Sequence, residues 1–251
     1  MAESTQDRNE PDAADSPPLV VITDTAVDPH IVMHHEPRAL QAEQYRAFRT
    51  NLLAMGRNKG SRSVVLTSGV KGDGKSVSAV NIAICLAEAP GTRVCLIDAD
   101  FRSPRVADLL GLGGGKGLSE LLLDEATLAD VLVETRVQNL FVIRSGRPPR
   151  NPSELLASER VKNLLDTLKQ QFTHILCDTP PVNPFTDAAV LGARTDGVVL
   201  VVRMNSTGRE QAERARHVLE RAGAHVNGAF LTDTAAQDPD AAADYEDEAD
   251  E

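Results

Sequence analysis

The stretch SVVLTSGVKGDGKSVSAV, residues 63–80, decides the fold of this chain of 251 residues. An apolar run over 63–68 has the length of a buried strand, and a helical pattern begins at Ser76 after a glycine-rich turn. The turn from Gly69 to Ser76 fits the pattern G-x-x-x-x-G-K-[ST], which is specific when a strand precedes it and a helix follows. We therefore predict a phosphate-binding loop, rather than a glycine-rich turn with an incidental lysine.

The chemistry of such a loop follows from its glycines and from the helix that it opens. Glycine lets the backbone curl so that successive N–H groups face a phosphate, and the helix N-terminus adds positive potential. Lys75 then provides a charge for the β- and γ-phosphates, and the hydroxyl of Ser76 is a magnesium ligand. The residues predicted to contact the nucleotide are Gly69, Val70, Lys71, Gly72, Asp73, Gly74, Lys75, Ser76 and Val77.

The rest of the body alternates apolar runs with amphipathic helical patterns. The predicted strands are 63–68, 93–100, 139–146, 174–181, 197–204 and 226–232. The predicted helices are 39–55, 76–89, one or two within 117–134, one that opens at Pro152 and reaches Leu168, and 209–222. Continuous apolar strands between amphipathic helices predict an α/β fold, with a parallel sheet covered by helices on both faces.

Acidic side chains stand where two of the predicted strands end. Asp98 and Asp100 close the strand CLIDAD, with Arg102 just behind, and Asp178 closes the strand HILCD. Ligands of open parallel sheets sit at the carboxyl ends of the strands, where acids hold magnesium and position a nucleophile. Any one of these acids alone is equally well explained as a turn residue that caps the next element. Asp187 is interpreted as a helix N-cap.

The formal net charge of −11 is unevenly distributed along the chain. Residues 1–38 carry 8 acidic and 2 basic side chains, and residues 233–251 carry 9 acidic and no basic ones. Residues 39–232, with 20 acidic and 24 basic side chains, form a mildly basic body. We predict a flexible acidic arm over 1–38, a nucleotide-binding domain over 39–232 and a disordered acidic tail over 233–251 that contains Tyr245.

Several classes of protein are disfavoured by composition. No apolar run approaches the roughly 20 residues that cross a bilayer, and the N-terminus lacks the basic-then-apolar order of a secretory signal. Three cysteines in apolar runs, with no C-x-x-C pair, indicate reduced thiols in a cytoplasmic protein. A body with so small a positive charge does not support binding to duplex nucleic acid, so no nucleic-acid partner is expected.

Five motifs in order resemble those of the bacterial tyrosine kinases (BY-kinases), a branch of the ParA/MinD-like P-loop ATPases. Three are the phosphate-binding loop, LIDADFRSP at 96–104 and ILCDTPP at 175–181. The other two are GRPPRNPSELL at 146–156, which fits G-x-x-P-x-N-P-x-E-L-L, and EQYRAFR at 43–49, which fits E-x-x-R-x-x-R. The resemblance covers about residues 39–232.

The resemblance implies an enzyme that transfers the γ-phosphate of ATP to tyrosines in the tail of a neighbouring subunit, with associated ATPase activity. It assigns Lys75, Asp98, Asp100 and Arg102 to catalysis, and Ser76, Asp98 and Asp178 to Mg²⁺. Glu43, Arg46 and Arg49 would link the subunits of a ring. Without the resemblance, these three side chains are explained as a solvated helix face with one i,i+3 ion pair.

The resemblance also implies a membrane partner and a biological process. BY-kinases act in capsule and exopolysaccharide polymerisation and export. Members without a membrane segment pair with a transmembrane polysaccharide co-polymerase whose cytoplasmic end helps to form the nucleotide site. We therefore expect a cytoplasmic protein that such a partner recruits to the inner face of the cell membrane.

The tail departs from the family pattern, because it offers one tyrosine, Tyr245, where a cluster is usual. Tyr45 lies on the apolar stripe of its helix, so Tyr245 is the expected acceptor.

One alternative function is an ATP-driven switch that docks on the membrane partner without kinase activity. A DNA-partitioning ATPase is disfavoured, because Val70 stands where that branch has a second lysine. Thr232 replaces a strand-end Asn that often contacts adenine in the superfamily.

Overall fold

A seven-stranded sheet runs through the computed structural model, which describes residues 27–54 and 62–233. The strands are β1 Arg62–Ser68, β2 Val94–Asp98, β3 Leu132–Glu134, β4 Leu140–Ile143, β5 His174–Asp178, β6 Gly197–Arg203 and β7 Val226–Thr232. Their order across the sheet is β3-β4-β2-β5-β1-β6-β7. All neighbouring pairs are parallel except β3 and β4. The predicted parallel sheet is thus confirmed.

Ten helices surround this sheet in the described residues. They are α1 Val32–His35, α2 Leu40–Ala54, α3 Lys75–Ala87, α4 Val106–Leu109, α5 Leu118–Leu122, α6 Leu128–Val131, α7 Pro152–Ala157, α8 Glu159–Lys169, α9 Asp187–Gly192 and α10 Arg209–Arg221. None of the described helices has the length and apolar character needed to span a bilayer.

Strand β1 shows why both faces of the sheet are covered. It lies between β5 and β6, and all seven of its residues are buried. Val64 and Leu66 belong to the core beneath α2 and α3, whereas Val65 belongs to the core on the opposite face. Successive side chains of a strand point to opposite faces, so an uninterrupted apolar strand requires an apolar layer on each side.

The segment before α2 is part of the body, which corrects the predicted domain boundary. Val27, Ile31 and Met33 are buried in the same core as α3. The buried Asn81 of α3 accepts a hydrogen bond from the Met33 N–H at 3.0 Å and donates one to the carbonyl of His30 at 3.1 Å. The body therefore includes residues 27–38, and residues 1–26 and 234–251 of the predicted arm and tail lie outside the described residues.

Two further predictions differ from the structure. The helical pattern predicted through residue 134 ends at Val131, because Leu132–Glu134 pair with β4 as the antiparallel edge strand β3. The single helix predicted from Pro152 is two helices, since Ser158 has an extended backbone with ψ of 154° and its hydroxyl donates to the carbonyl of Leu155. The three cysteines are free and buried, as the composition indicates.

Candidate active site

The predicted phosphate-binding loop joins the end of β1 to the first residue of α3. Gly72 and Gly74 have φ of 98° and 85°, a conformation that side chains other than glycine rarely adopt. The loop borders a cavity of about 430 Å³ at the carboxyl edge of the sheet. The loop residues that line this cavity, called here the nucleotide cavity, are Lys71, Gly72, Gly74, Lys75, Ser76 and Val77.

The other three predicted loop residues support the loop from behind. The Val70 carbonyl accepts a hydrogen bond of 2.7 Å from the hydroxyl of Ser68. Gly69 lies so close to α10 that an added Cβ would come within 3.2 Å of the Gln211 carbonyl. The carboxylate of Asp73 is buried and accepts a hydrogen bond from Thr207. Burial raises the pKa of Asp73. Gly69, Val70 and Asp73 thus fix the loop instead of facing the cavity.

Thr232, at the end of β7, also braces the loop. Its hydroxyl donates to the carbonyl of Asp73 at 2.9 Å, and its methyl group lies where a Cβ on Gly74 would meet it at 3.6 Å. The position at which the family resemblance would lead one to expect an adenine-contacting Asn is therefore used here to fix the loop.

Lys75 brings the three predicted acids together. Its Nζ lies 2.7 Å from Oδ2 of Asp100, 3.5 Å from Oδ1 of Asp178 and 3.0 Å from the hydroxyl of Ser76. Asp98 and Asp178 are paired residues at the ends of the adjacent strands β2 and β5. The sequence-based prediction that these side chains meet at one edge of the sheet is confirmed in its geometry.

Burial and proximity shift the pKa values of this cluster. Burial alone would lower the pKa of Lys75, but the carboxylates of Asp178 and Asp100 raise it overall. Burial and the neighbouring charge of Asp178 raise the pKa of Asp98. Burial also raises the pKa of Asp178, against the influence of Lys75. Because burial and a neighbouring carboxylate disfavour the ionised form, a cation bound beside these groups would stabilise their charges.

The three acids differ in how their oxygens are occupied. Both oxygens of Asp98 accept backbone N–H groups, from Asp100 on one side and from Arg105 and Val106 on the other. In the described part of the chain, neither oxygen of Asp178 accepts a hydrogen bond of good geometry, and Oδ1 faces the Lys75 ammonium at 3.5 Å. Buried carboxylate oxygens that are so weakly occupied fit a magnesium ion, for which oxygen atoms are the preferred ligands.

Arg102 is held at the cavity by two contacts that the sequence did not reveal. Its Nε lies 2.7 Å from Oδ2 of Asp187, and its guanidinium lies 4.0 Å over the ring of Phe185. The buried Asp187 also accepts a hydrogen bond from Ser153, in the GRPPRNPSELL motif. The interpretation of Asp187 as an N-cap is wrong, because it is the first residue of α9 and its carboxylate binds these two side chains.

Tyr45 and the E-x-x-R-x-x-R residues lie away from this cavity. Tyr45 stacks on Phe230 with ring centroids 5.3 Å apart, which confirms its packing role. Arg46 donates to Glu43 at 2.6 Å, and Arg49 donates to the Cys85 carbonyl of α3 at 2.8 Å. In the single chain these residues attach α2 to α3. Tyr245 lies outside the described residues.

A larger cavity, of about 750 Å³, lies elsewhere and is lined by residues that include Leu123, Pro148, Pro149 and Leu155. None of the strand-end acids or loop residues lines it. The nucleotide cavity is the candidate active site because its chemistry, rather than its size, suits a phosphate.

Comparison with known proteins agrees with this assignment. A family model described as an AAA domain matches residues 62–229. The putative tyrosine-protein kinase CapB of Staphylococcus aureus is 34% identical over 201 residues, which cover 80% of this chain and 88% of CapB. The chain belongs to the bacterial tyrosine-kinase family. The phosphate-binding loop of this tyrosine kinase is accordingly an ATP-binding loop.

Solved structures lead to the same fold and family. The kinase domain of the Escherichia coli tyrosine kinase ETK has a TM-score of 0.77 and 29% identity, with coverage of 82% of this kinase and 80% of that domain. The cell-division ATPase MinD of Pyrococcus furiosus matches with a TM-score of 0.60 at 24% identity, over 74% of this kinase and 80% of MinD. MinD shares the fold alone. Because the relatives are tyrosine kinases, a switch without kinase activity is not favoured.

Proposed function

We propose that this tyrosine kinase transfers the γ-phosphoryl group of ATP to Tyr245 in the tail of a neighbouring subunit. The observation that carries the proposal is the position of Lys75 between Asp100 and Asp178, at the mouth of a cavity bordered by a glycine-rich loop. Phosphoryl transfer needs positioning and neutralisation of charge, and this arrangement provides both.

The residues at the cavity divide the work of binding. The N–H groups of the loop and Lys75 hold the phosphates. Ser76 and Asp178, with Asp98 behind them, would hold Mg²⁺, which would neutralise charge on the phosphate oxygens. Asp98 stays fixed by its three backbone hydrogen bonds, so its main contribution is to orient the neighbouring chain.

Asp100 and Arg102 act on the transfer itself, since both line the nucleotide cavity. The triphosphate competes with Asp100 for Lys75, which releases the Asp100 carboxylate to accept a hydrogen bond from the acceptor hydroxyl. The tyrosine oxygen then attacks the γ-phosphorus, the bond to the ADP oxygen breaks, and the hydroxyl proton passes to Asp100 and on to solvent. Arg102, fixed by Asp187 and Phe185, faces the charge on the transferred group.

The assembly is proposed from the sequence motifs and from the charges. Glu43, Arg46 and Arg49 join subunits into a ring, which presents the acidic tail of one subunit to the basic body of the next. The acidic segments 1–26 and 234–251 flank a body that begins at residue 27. A transmembrane polysaccharide co-polymerase recruits the kinase to the inner face of the cell membrane and activates it. The process regulated is the polymerisation and export of capsular or extracellular polysaccharide.

The proposal is tested with ATP labelled in the γ-phosphate, in the presence of the cytoplasmic segment of the membrane partner. The wild type should become labelled on tyrosine, and both Tyr245→Phe and Lys75→Met should lose the label. Undiminished label in Tyr245→Phe would refute the acceptor assignment. ATP turnover without label in any of the chains would favour the switch.

A further inference from the structure

A second, smaller cavity of about 200 Å³ lies beside the nucleotide cavity. Both share the segment after β2, because Ser103 and Arg105 line the nucleotide cavity whereas Pro104 and Ala107 line the smaller one. Its opposite wall contains Arg144, and we call it the Arg144 cavity. Strand β4 pairs with β2 so that Ile143 lies beside Ile97, which sets Arg144 at the level of Asp98. The two cavities are therefore neighbours at one edge of the sheet.

Arg144 has the features of a cation that awaits an anion. It is partly buried, and its Nη2 donates to the Leu112 carbonyl at 3.1 Å. Its Nε is buried and has no hydrogen-bond partner among the described residues. Arg144 forms no ion pair with those residues either, although the acidic side chain of Asp108 lines the same cavity. Burial lowers the pKa of Arg144 without any opposing carboxylate. An unpaired donor in such a place is costly unless a ligand supplies the acceptor.

The loop that faces Arg144 is made of glycines that leave room for it. A Cβ on Gly115 would lie 3.0 Å from Nη1 of Arg144, whereas a Cβ on Gly114 would meet nothing within 4 Å. The next residue, Lys116, is exposed and forms no ion pair with the described residues. A glycine loop between a fixed guanidinium and an exposed ammonium group is suited to a carboxylate group.

The chain contains a segment with matching chemistry. Residues 234–251 carry 8 acidic side chains and no basic one, and Asp244 and Glu246 flank Tyr245 directly. We propose that the Arg144 cavity is a specificity subsite, which binds a carboxylate side chain next to Tyr245 in the tail of a neighbouring subunit. This inference rests on the proposed function, since the same tail delivers the acceptor hydroxyl to Asp100. It identifies the preferred substrate as an acidic tyrosine peptide.

Direct binding tests the subsite without requiring phosphoryl transfer. The receptor is the full-length chain whose own tail carboxylates have been changed to amides, so that its tail does not compete. The probes are a fluorescent peptide of residues 238–251 and the same peptide with Asn and Gln in place of Asp and Glu. We expect Arg144→Gln to weaken binding of the acidic peptide about tenfold, as for one charge-assisted hydrogen bond. The amide peptide should bind weakly to both receptors.

Gly115→Ala crowds the guanidinium and should weaken binding of the acidic peptide. Arg216→Gln is the matched control, because it removes one charge from an exposed arginine outside both cavities, and it should leave the binding unchanged. The subsite is overturned if the acidic peptide binds the parent and Arg144→Gln with equal affinity. It is also overturned if Arg144→Gln lowers the affinity for both peptides equally, or if the acidic peptide does not bind at all. Phosphorylation of the acidic peptide by the same receptors, in the presence of the cytoplasmic segment of the membrane partner, separates the two proposals. Binding that depends on Arg144 without transfer to Tyr245 refutes the acceptor, whereas transfer with an unchanged KM for the peptide in Arg144→Gln refutes the subsite.

Discussion

The Nζ of Lys75 donates a hydrogen bond of 2.7 Å to Oδ2 of Asp100. Asp178 lies on the other side of the ammonium group at 3.5 Å, and the side chains of all three residues are nearly inaccessible to water. Without nucleotide, one lysine thus offsets the charge of a buried acidic cluster. A bound triphosphate would use the positive charge of the same lysine. A cation would then have to replace the lysine as the counter-charge beside the carboxylates. Nucleotide and magnesium should therefore bind cooperatively.

The stability of the nucleotide-free kinase should depend on pH through Asp98. Its folded pKa is raised to about 7, against about 3.9 for an unfolded Asp. The folded state therefore binds more protons than the unfolded state between these values, and its stability falls as pH rises through this window. In Asp98→Asn this dependence is absent. The free energy of unfolding of Asp98→Asn, relative to wild type, should rise by about 2 kcal/mol between pH 5 and pH 8.

Denaturant unfolding of both chains at several pH values checks this prediction. The buried His174, whose pKa burial lowers, changes stability in the opposite direction below its unfolded pKa, but it does so equally in both chains. Asp98→Asn also changes the hydrogen bonds of this side chain, but their cost does not vary with pH. It therefore does not affect the slope of the difference in unfolding free energy against pH. A difference between the two chains that stays flat with pH would contradict the raised pKa.

Removal of the Thr232 hydroxyl should loosen the phosphate-binding loop. Thr232→Val keeps the methyl contact near Gly74 and deletes the hydrogen bond to the Asp73 carbonyl. We expect a stability loss of about 1 kcal/mol and a several-fold higher KM for ATP. Thr167→Val is the control, because it deletes a similar hydroxyl bond to a carbonyl on the exposed face of α8. A KM for ATP that changes equally in both variants would contradict the bracing role.

The Arg102–Asp187 pair should affect turnover more than nucleotide binding. Asp187→Asn removes the charge that fixes Arg102, while Asp187 itself does not line the nucleotide cavity. We expect kcat to fall by about tenfold or more, corresponding to at least one charge-assisted hydrogen bond, with the KM for ATP nearly unchanged. Glu220→Gln, in the exposed pair with Arg216, should change neither. A higher KM for ATP with normal kcat in Asp187→Asn would show that Arg102 binds nucleotide instead.

Arg46→Ala separates the two roles of the E-x-x-R-x-x-R motif. In the single chain Arg46 forms an i,i+3 pair with Glu43 and lies 3.9 Å from Glu88 at the end of α3, and partly exposed pairs of this kind are worth a few tenths of a kcal/mol each. We therefore expect nearly normal thermal stability and a lower oligomer mass in sedimentation analysis. Arg209→Ala, which breaks a comparable exposed pair with Glu213, should leave the mass unchanged. An oligomer of the same mass in Arg46→Ala would show that this residue acts only within the single chain.

The core of the site was predictable because local sequence determines it. A strand, a glycine turn and a helix place Lys75 at the carboxyl edge of the sheet, and parallel pairing places Asp98 and Asp178 at that same edge. Neither inference needs knowledge of which distant segments meet. The same holds for the burial of β1, whose uninterrupted apolar run already predicts helices on both faces.

The supporting contacts were not predictable because they join residues far apart in the chain. Asp187 meets Arg102 across 85 positions and Ser153 across 34, and only the packing of α7 against α9 brings these segments together. The attachment of residues 27–38 to the body likewise depends on the hydrogen bonds of Asn81. In the sequence, Asn81 is only one polar position in an apolar helix. Strand β3 continues a helical pattern and becomes a strand through its pairing with β4. Tertiary contacts override the local pattern in each case.

The Nε of Arg144, which has no hydrogen-bond partner among the described residues, illustrates the same limit. In the sequence Arg144 is one basic residue at the end of an apolar strand, NLFVIRSG. Only the structure shows that its Nε is buried without a partner and that a glycine loop faces it. A side chain missing its partner is a property of the fold, which no motif records.

Mixing two inactive chains tests the central claim most directly. Lys75→Met retains Tyr245 but lacks the lysine that binds phosphate, whereas Tyr245→Phe retains the nucleotide site but lacks the acceptor. Neither chain should label itself with γ-labelled ATP in the presence of the membrane partner's cytoplasmic segment. In the mixture, phosphate should be found on Tyr245 of the Lys75→Met chain, which mass spectrometry of the separately tagged chains identifies. A labelled wild type together with an unlabelled mixture would contradict transfer between subunits.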